Sequence, residues 1–438
     1  MNLNTIKEKS QRMWFFAFVV VLFLNPIHSF GIQQVQEDFM EYKGSVVESG
    51  TNKPLALASI AVKETNISTV SNTEGEFLLK VPKSIVDNGN VVFSFLGYES
   101  KTMPIGQLRK ERNKIELKVS FTQLSGVNIN APKNVEALVR EVLSKRGENY
   151  TEDNMVMTAF YRETIKKRRK NVSLSEAVVN IYKTPYFSSK VDAMKLFKAR
   201  KSTDYNKLDT VALKLQGGPF NTLYVDLMKY PRFIFVDGEV DEYEFKFERS
   251  TYIDDRLVYV INFNQLPSIR EPLYKGKLFV DVANKTLKSA VYELNITNRE
   301  MASRLFVRKK PAKVDVWPTE VAYRVDYREK NGKWYYGYSN VLMEFKVDWR
   351  GKLFNSVYSM AAEMAVTDWK KNPSGEFPKN KEKIKRSIIL SDENLGFADP
   401  NFWGEYNIIE PEKSIESAIK KIQRQLRRAN KNGAAAAR

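Results

Sequence analysis

The chain is 438 residues long with a formal net charge of +18, contains no cysteine and carries a single histidine, His28. Absence of cysteine removes disulfides, thiolate nucleophiles, Cys-ligated zinc and iron–sulfur clusters. Because His28 falls within the leader described next, Ser-His-Asp and Cys-His hydrolases, HExxH proteases and two-His-one-carboxylate iron sites are excluded too, leaving chemistry by carboxylates, Lys, Tyr or a Ser-Lys pair.

Lys7, Lys9 and Arg12 precede an apolar run from Trp14 to Leu24, which Asn25 and Pro26 interrupt. With Ser29, Phe30 and Gly31 behind it, this is the pattern of a secretory signal peptide over residues 1–31, cleaved before Ile32. The run is too short for a bilayer core, which takes roughly 20 apolar residues; retention as an anchor is the alternative fate. Residues 1–31 hold Lys7, Lys9 and Arg12 against Glu8, a net +2, so their removal lowers the charge from +18 to +16. A positive excess of that size favours anionic partners such as lipid phosphates or acidic neighbours.

From Tyr42 to about Leu117 short apolar runs alternate with turn residues. Gly44-Ser45-Val46-Val47, Ala58-Ser59-Ile60-Ala61-Val62, Glu76 to Val81 and Val91-Val92-Phe93-Ser94-Phe95 read as strands, with Ser49-Gly50, Asn52-Lys53-Pro54 and Asn72 to Gly75 as turns. Turn signals at roughly 8–12-residue spacing predict a small β-sandwich. In order, and with Phe93-Ser94-Phe95-Leu96-Gly97-Tyr98-Glu99, these elements resemble the carboxypeptidase-regulatory-like domain, a transthyretin-like sandwich of seven strands. The resemblance implies a non-catalytic module of Gram-negative envelope proteins, one that often precedes TonB-dependent outer-membrane receptors. Asn66-Ile67-Ser68-Thr69 departs from the family pattern, which usually has a Gly-Thr pair there.

Ser120 to Ala131, before Pro132, reads as an extended linker. Val135, Leu138, Val139, Val142 and Leu143 then recur at helical spacing on one apolar face, with Asn134 as N-cap and Gly147 as stop. From Phe160 to about Asp368 the pattern has period two. Tyr243, Phe245 and Phe247, and Val321, Tyr323, Val325 and Tyr327, alternate mainly with polar residues, and Asn331-Gly332 is the strongest hairpin signal. Ala283-Asn284-Lys285, Arg350-Gly351 and Asp254-Asp255 are further turn candidates, so a large curved antiparallel sheet is expected. Within this region helix is expected only around Leu208 to Gln216 and Pro219 to Lys229. Asn149-Tyr150, Phe160-Tyr161-Arg162-Glu163, Gln216-Gly217-Gly218-Pro219, Gly332-Lys333-Trp334-Tyr335 and the segment from Phe402 to Pro411 resemble uncharacterised envelope proteins carrying the same sandwich. The strand order is also similar to the half-barrel of lipoprotein-localisation carriers. From Glu412, Ile415, Ile419, Ile422 and Leu426 line one face of a basic helix that can dock on an anionic lipid surface or a partner, or stay solvated.

The expected fold is therefore mainly β. It comprises a signal peptide (1–31), a transthyretin-like sandwich (42–120), a linker (121–133), a larger antiparallel β-rich domain with a few helices (134–400), half-barrel in one version, and a C-terminal basic helix and tail (401–438).

Five sets of residues invite a chemical reading. Asp237-Gly238-Glu239, with Asp241 and Glu242, offers hard oxygens for calcium, but the spacing fits no EF-hand loop and a turn explains it. Asp254 and Asp255 are adjacent, and neighbours on a strand point to opposite faces, so they do not form a glycosidase pair. Lys166-Lys167-Arg168-Arg169-Lys170 lacks the stacking aromatics of a nucleic-acid track and reads as an exposed hairpin tip. Gly217-Gly218 matches no phosphate-binding loop. Trp334, Tyr335, Tyr336 and Tyr338 can line a lipid or glycan pocket, but a large sheet must bury aromatics somewhere and core is the simpler reading.

No catalytic, cofactor-binding or metal-ligating residue is expected. The function expected is that of a non-catalytic scaffold or binding protein, exported to the periplasm or outer membrane, docking as an accessory subunit on an outer-membrane protein or complex and not on nucleic acid. Its rivals are a carrier of lipid or another hydrophobic ligand, and a hydrolase working without His or Cys.

Overall fold

The computed structural model describes residues 38–119, 131–168, 170–203, 216–235, 240–253, 256–307, 310–351, 353–390 and 403–412. The leader, most of the linker, Leu208 and its neighbours up to Leu215, and the basic helix after Glu412 lie outside these residues. No described helix is long and apolar enough to cross a membrane.

Seven short strands are described first: β1 (Phe39–Glu48), β2 (Ser59–Val62), β3 (Ser68–Val70), β4 (Glu76–Pro82), β5 (Asn90–Ser94), β6 (Lys101–Pro104) and β7 (Asn113–Leu117). They stack as two layers, β4-β1-β7 and β3-β2-β5-β6. Each layer turns one face inward, so Val46, Ile60, Leu79, Val91 and Phe93 meet in a dry core. Gly44 is needed where β1 runs beside β7, because a Cβ there would lie 2.4 Å from the Asn113 carbonyl oxygen. The turn at Asn72 is held by its own side chain, whose Oδ1 accepts from the backbone N–H groups of Glu74 and Glu76 at 2.9 Å each.

Helix α1 (Val135–Ser144) forms as expected, with Asn134 Oδ1 accepting from the Ala137 N–H at 2.9 Å. Gly147 is not its stop. The helix ends at Lys145, and Gly147 sits inside a further single turn, Arg146–Asn149. There a Cβ would press to 3.1 Å on Phe187, so the glycine answers to packing.

Ten longer strands follow: β8 (Met155–Lys167), β9 (Lys170–Lys183), β10 (Ala193–Thr203), β11 (Tyr243–Ile253), β12 (Arg256–Gln265), β13 (Tyr274–Asp281), β14 (Thr286–Leu294), β15 (Val314–Lys330), β16 (Lys333–Trp349) and β17 (Ser356–Lys371). They form one antiparallel sheet in the order β10-β9-β8-β17-β16-β15-β14-β13-β12-β11. The chain runs outward from β8 to one edge, crosses to β11 at the other, and returns strand by strand until β17 pairs with β8. The edge strands β10 and β11 do not pair, so the sheet is open.

Laid flat, ten strands would span about 43 Å, whereas α1 is only about 15 Å long. Yet Tyr161, Val179 and Met194 from one side of the sheet, and Tyr243, Ile261 and Val280 from the other, share one core with Leu138, Val139 and Val142 of α1. Only a curled sheet brings them together. Its concave face is filled by α1 and by Phe220, Leu223, Leu227, Met228 and Phe235. Among the described residues, a void of about 10 Å³ lies between Val139 and Val142 of α1, Leu227 and Phe235, and Leu278 and Val280 of β13.

The turn predictions at Asn331-Gly332 and Ala283 to Lys285 hold. Asn331 and Gly332 have φ of +53° and +77°, the left-handed pair that a two-residue type I′ hairpin needs. Two helix predictions need correction. Of Pro219 to Lys229 only Phe220–Leu223 is α-helical, because the Asp226 carboxylate is drawn inward to the partners described below. Conversely, α2 (Arg299–Phe306), capped by Asn298 Oδ1 at 3.1 Å from the Met301 N–H, forms between two strands where no helix is expected.

Candidate functional site

The sandwich sits against the convex face of the sheet, and a strap of residues 403–412 runs between them. Ile408 and Ile409 of the strap are buried with Val70 and Leu78 of the sandwich and with Phe160, Val178 and Ala365 of the sheet. Trp403 packs edge-on to Phe160 with ring centres 5.3 Å apart. Polar bonds fix the pose. Asn407 pairs twice with the Lys80 backbone, accepting at 2.7 Å and donating at 3.0 Å. Thr69 Oγ1 donates to the Ile408 carbonyl at 2.9 Å, and Ser68 Oγ to the Val366 carbonyl at 3.0 Å. Asn66 donates to the Trp369 carbonyl and accepts from Lys330 Nζ at 2.6 Å. The segment that departs from the family pattern, Asn66 to Thr69, is thus where the sandwich is fastened.

Beside this fastening the two modules part to leave a cleft of about 350 Å³. Its roof is the outer face of the β3-β2-β5-β6 layer, where Ser59 pairs with Ser94 and Ala61 with Val92. These small side chains keep the roof shallow. Its floor is the convex face of β14 and β15, with Lys288, Ser289, Arg324, Asp326 and Arg328. Ser289 Oγ donates to Asp326 Oδ1 at 2.6 Å, and Arg324 Nε lies 2.8 Å from Asp326 Oδ2 as an ion pair. The floor is therefore polar and of mixed charge, while the roof adds apolar surface from Val62, Val70, Val92 and Phe95.

Among the described residues, reactive side chain types also converge in two buried charge clusters. On the concave side, Lys183 Nζ donates to Asp192 Oδ2 at 2.8 Å and Asp226 Oδ2 at 2.5 Å, all three side chains fully buried. The Tyr186 and Tyr327 hydroxyls donate to Asp226 at 3.0 and 2.9 Å, and Tyr230 to Asp192 at 2.7 Å. Burial pushes the Lys183 ammonium down, but Asp192 and Asp226 outweigh it and hold the pKa above the usual lysine value. Lys229, whose Nζ donates to the Pro185 and Ser188 carbonyls at 2.6 and 2.7 Å, is pushed down to about 8 by burial.

On the convex side, Glu176 accepts from Arg162 at 2.7 Å and Arg200 at 2.6 Å. Arg162 also donates to the Ile409 carbonyl of the strap at 2.6 Å. Burial raises the Glu176 carboxyl, and the two guanidinium groups outweigh burial to leave it below its usual range. Glu363, 3.3 Å from Arg162, stays raised by burial. In both clusters the charged groups are spent on one another. Sequence spacing gave no sign of either, since Lys183, Asp192 and Asp226 are brought together only by the crossing from β9 to the 216–235 segment.

Among the described residues, those singled out in the sequence do not converge. Asp237 to Glu239, and Asp254 with Asp255, lie outside the described residues. Asp241 pairs with Arg140 of α1. Lys167 and Lys170 close the β8–β9 hairpin, with Arg168 exposed at its tip. Gly217 and Gly218 take φ of +109° and +49° in the turn before Phe220. Trp334, Tyr336 and Tyr338 are buried, and Tyr335 stacks on Trp369 at 5.0 Å. Among the described residues no group of three or more His, Cys, Asp or Glu is placed to hold a metal ion.

Residues 42–129 match the family model of the CarboxypepD_reg-like domain. No curated protein matches the chain. Three solved structures share some of its outline. A DUF1329 family protein from Desulfovibrio piger is 10% identical, with a TM-score of 0.24, over 54% of this chain and 93% of that one. Lipovitellin, in a structure of its lipid–protein interactions, is 7% identical with a TM-score of 0.26, over 53% and 27%. A LolA superfamily protein from Nitrosomonas europaea is 11% identical with a TM-score of 0.18, over 55% and 98%. Scores this low place neither fold nor function.

Proposed function

We propose that the chain is a non-catalytic scaffold or binding protein of the cell envelope, exported by its leader, which receives part of an outer-membrane partner in the cleft between sandwich and sheet. The observation that carries this reading is the cleft itself, about 350 Å³ between two modules fastened by buried polar bonds. A preformed concavity spares a ligand the ordering cost of building its own site. The inventory supports a non-catalytic role. Past His28 there is no imidazole and no thiol, and the Lys, Tyr and carboxylate groups that do cluster are buried and mutually paired.

Capture from detergent-solubilised envelopes tests it. Wild-type protein should retain a partner that a cleft-filling Ala61→Trp, Ser94→Trp variant does not, with both proteins equally folded by circular dichroism. Equal capture by the two, or none by either, sinks the proposal. The carrier reading places its ligand elsewhere, on the concave face, and requires α1 and residues 216–235 to lift away. The void between α1 and β13 holds about one water molecule at most. Lipid co-purifying with the protein, detected by mass spectrometry, would favour the carrier.

A further inference from the structure

The long hairpins of the sheet end in an unusual tip. In the β16–β17 turn, Leu353 is 94% and Phe354 79% exposed. A small core of Ile165, Val172, Val314, Phe345, Val347 and Tyr358 lies in the same end of the strands, and neither exposed residue packs into it. Around them stand cations from three separate turns. The Arg168 N–H donates to the Val357 carbonyl at 2.9 Å, tying the β8–β9 tip to the start of β17. The Arg350 N–H donates to the Lys313 carbonyl at 3.0 Å, tying in the segment before β15. Arg168, Lys170, Lys310, Lys313 and Arg350 are all exposed. The described residues of segments 166–170, 310–313 and 350–355 carry seven Lys and Arg and no Asp or Glu. Two of these cations are balanced by acids outside the three segments, Lys310 by Asp315 at 2.7 Å and Lys166 by Glu412 at 3.3 Å.

Single apolar side chains on a surface need no explanation, but an adjacent Leu-Phe pair at a turn, ringed by cations, has a specific complement. The cations suit a layer of phosphates, while the pair suits the apolar boundary just beneath it. We propose that this tip docks on an anionic phospholipid surface, Leu353 and Phe354 entering the acyl boundary and the surrounding cations holding headgroup phosphates. A nucleic-acid strand would use the charges, but it would need a row of stacking aromatics and would leave Leu353 without a role. The inference does not rest on the cleft reading, since the tip and the cleft share no residue.

Flotation of the full chain with phosphatidylcholine vesicles, with and without phosphatidylglycerol, tests it. Wild-type protein should float with phosphatidylglycerol vesicles, release at high salt and ignore pure phosphatidylcholine. Leu353→Ser with Phe354→Ser, and separately Arg168→Glu with Lys170→Glu, should each weaken partition at least about tenfold. Because these side chains are exposed, thermal unfolding should be unchanged. Wild-type flotation by the Ser variant would reduce the tip to a general polyanion surface and overturn the proposal, as would indifference to phosphatidylglycerol. A fluorescence blue shift in phosphatidylglycerol vesicles for Phe354→Trp, absent without them, would support insertion directly.

Discussion

On its concave side the ten-stranded sheet buries aromatic and aliphatic side chains of all its strands against α1 and the 216–235 segment. Its convex side meets the sandwich through a smaller apolar cluster, in which Val70 and Leu78 join Phe160, Val178 and the strap's Ile408 and Ile409, and through hydrogen bonds made by Asn66, Ser68, Thr69, Lys80, Arg162 and the strap. The difference separates two tasks. Apolar burial is non-directional and scales with area, so it supplies the stability of the curled sheet. Hydrogen bonds between buried groups are demanding in geometry and contribute little net energy, so they select one pose for the sandwich. Damage to the concave side should therefore unfold the molecule, whereas damage to the convex side should loosen one module from the other.

The largest expected effect comes from the concave cluster. Asp226→Ala leaves Lys183 buried with one carboxylate and removes the acceptor of Tyr186 and Tyr327. Breaking a buried pair by deleting one partner costs about 3–5 kcal/mol. Urea unfolding should show that loss as a shift of the whole transition. A loss below about 1 kcal/mol would mean the cluster does not hold the concave layer, and the contrast between faces would fail.

Next in size is Arg162→Met, which removes the link from Glu176 to the Ile409 carbonyl. We expect about 2–3 kcal/mol, since Arg200 still pairs with Glu176. Hydrogen exchange should locate the loss in residues 403–412 and β3, with the strands facing α1 still protected. Equal loss of protection in both places would show that the two faces are one cooperative unit.

Much of the sheet was legible because its signals are local. Alternation at Tyr243, Phe245 and Phe247 follows from one wet and one dry face, and Asn331-Gly332 and Asn134 act within four residues of themselves. The seven-strand sandwich was legible for the same reason, as a series of short runs and turns. Helix α2 was missed because eight residues carry too little periodicity, although Asn298 followed by Glu300 was a cap signal in plain view. The shortened helix after Pro219 was not predictable from its own residues, since Asp226 is recruited by Lys183, 43 residues earlier. The cleft and the strap are products of pairing between segments distant in the chain, as in the bonds from Lys330 to Asn66, 264 residues apart, and from Thr69 to Ile408, 339 apart. One clue did exist: Asn66 to Thr69 breaks the family pattern, and these are the residues that fasten the sandwich.

A pH series sharpens the comparison on the concave side. Lys229 is depressed to about 8 in the folded protein, against an unperturbed lysine of 10.5. Between those values the unfolded chain holds a proton that the folded one does not, so this group makes stability rise with pH from about 8. The window closes near 10, where tyrosines ionise in the unfolded chain while Tyr150 and Tyr327, raised by burial, keep their protons and reverse the slope. Allowing for partial exposure, the gain is about 1–2 kcal/mol. Lys229→Met should flatten the rise measured by thermal unfolding between pH 8 and 10. An unchanged slope would show that the ammonium is better solvated than its place beneath Pro185 and Ser188 implies.

The smallest effect sets the scale for the others because it touches neither face. Gly332 has φ of +77°, and nothing lies within 4 Å of where its Cβ would be, so Gly332→Ala adds strain without a clash. Holding an L-residue in the left-handed region costs about 1 kcal/mol. The β15–β16 hairpin underlies the cleft floor on one side and the concave core on the other, so its loss should be shared. We expect a small drop in thermal midpoint, with hydrogen exchange in the strap and in the strands facing α1 rising together. If Gly332→Ala instead frees the strap alone, as Arg162→Met should, the convex junction is the weakest point of the whole molecule, and its response to Arg162 says nothing particular about the ion pair.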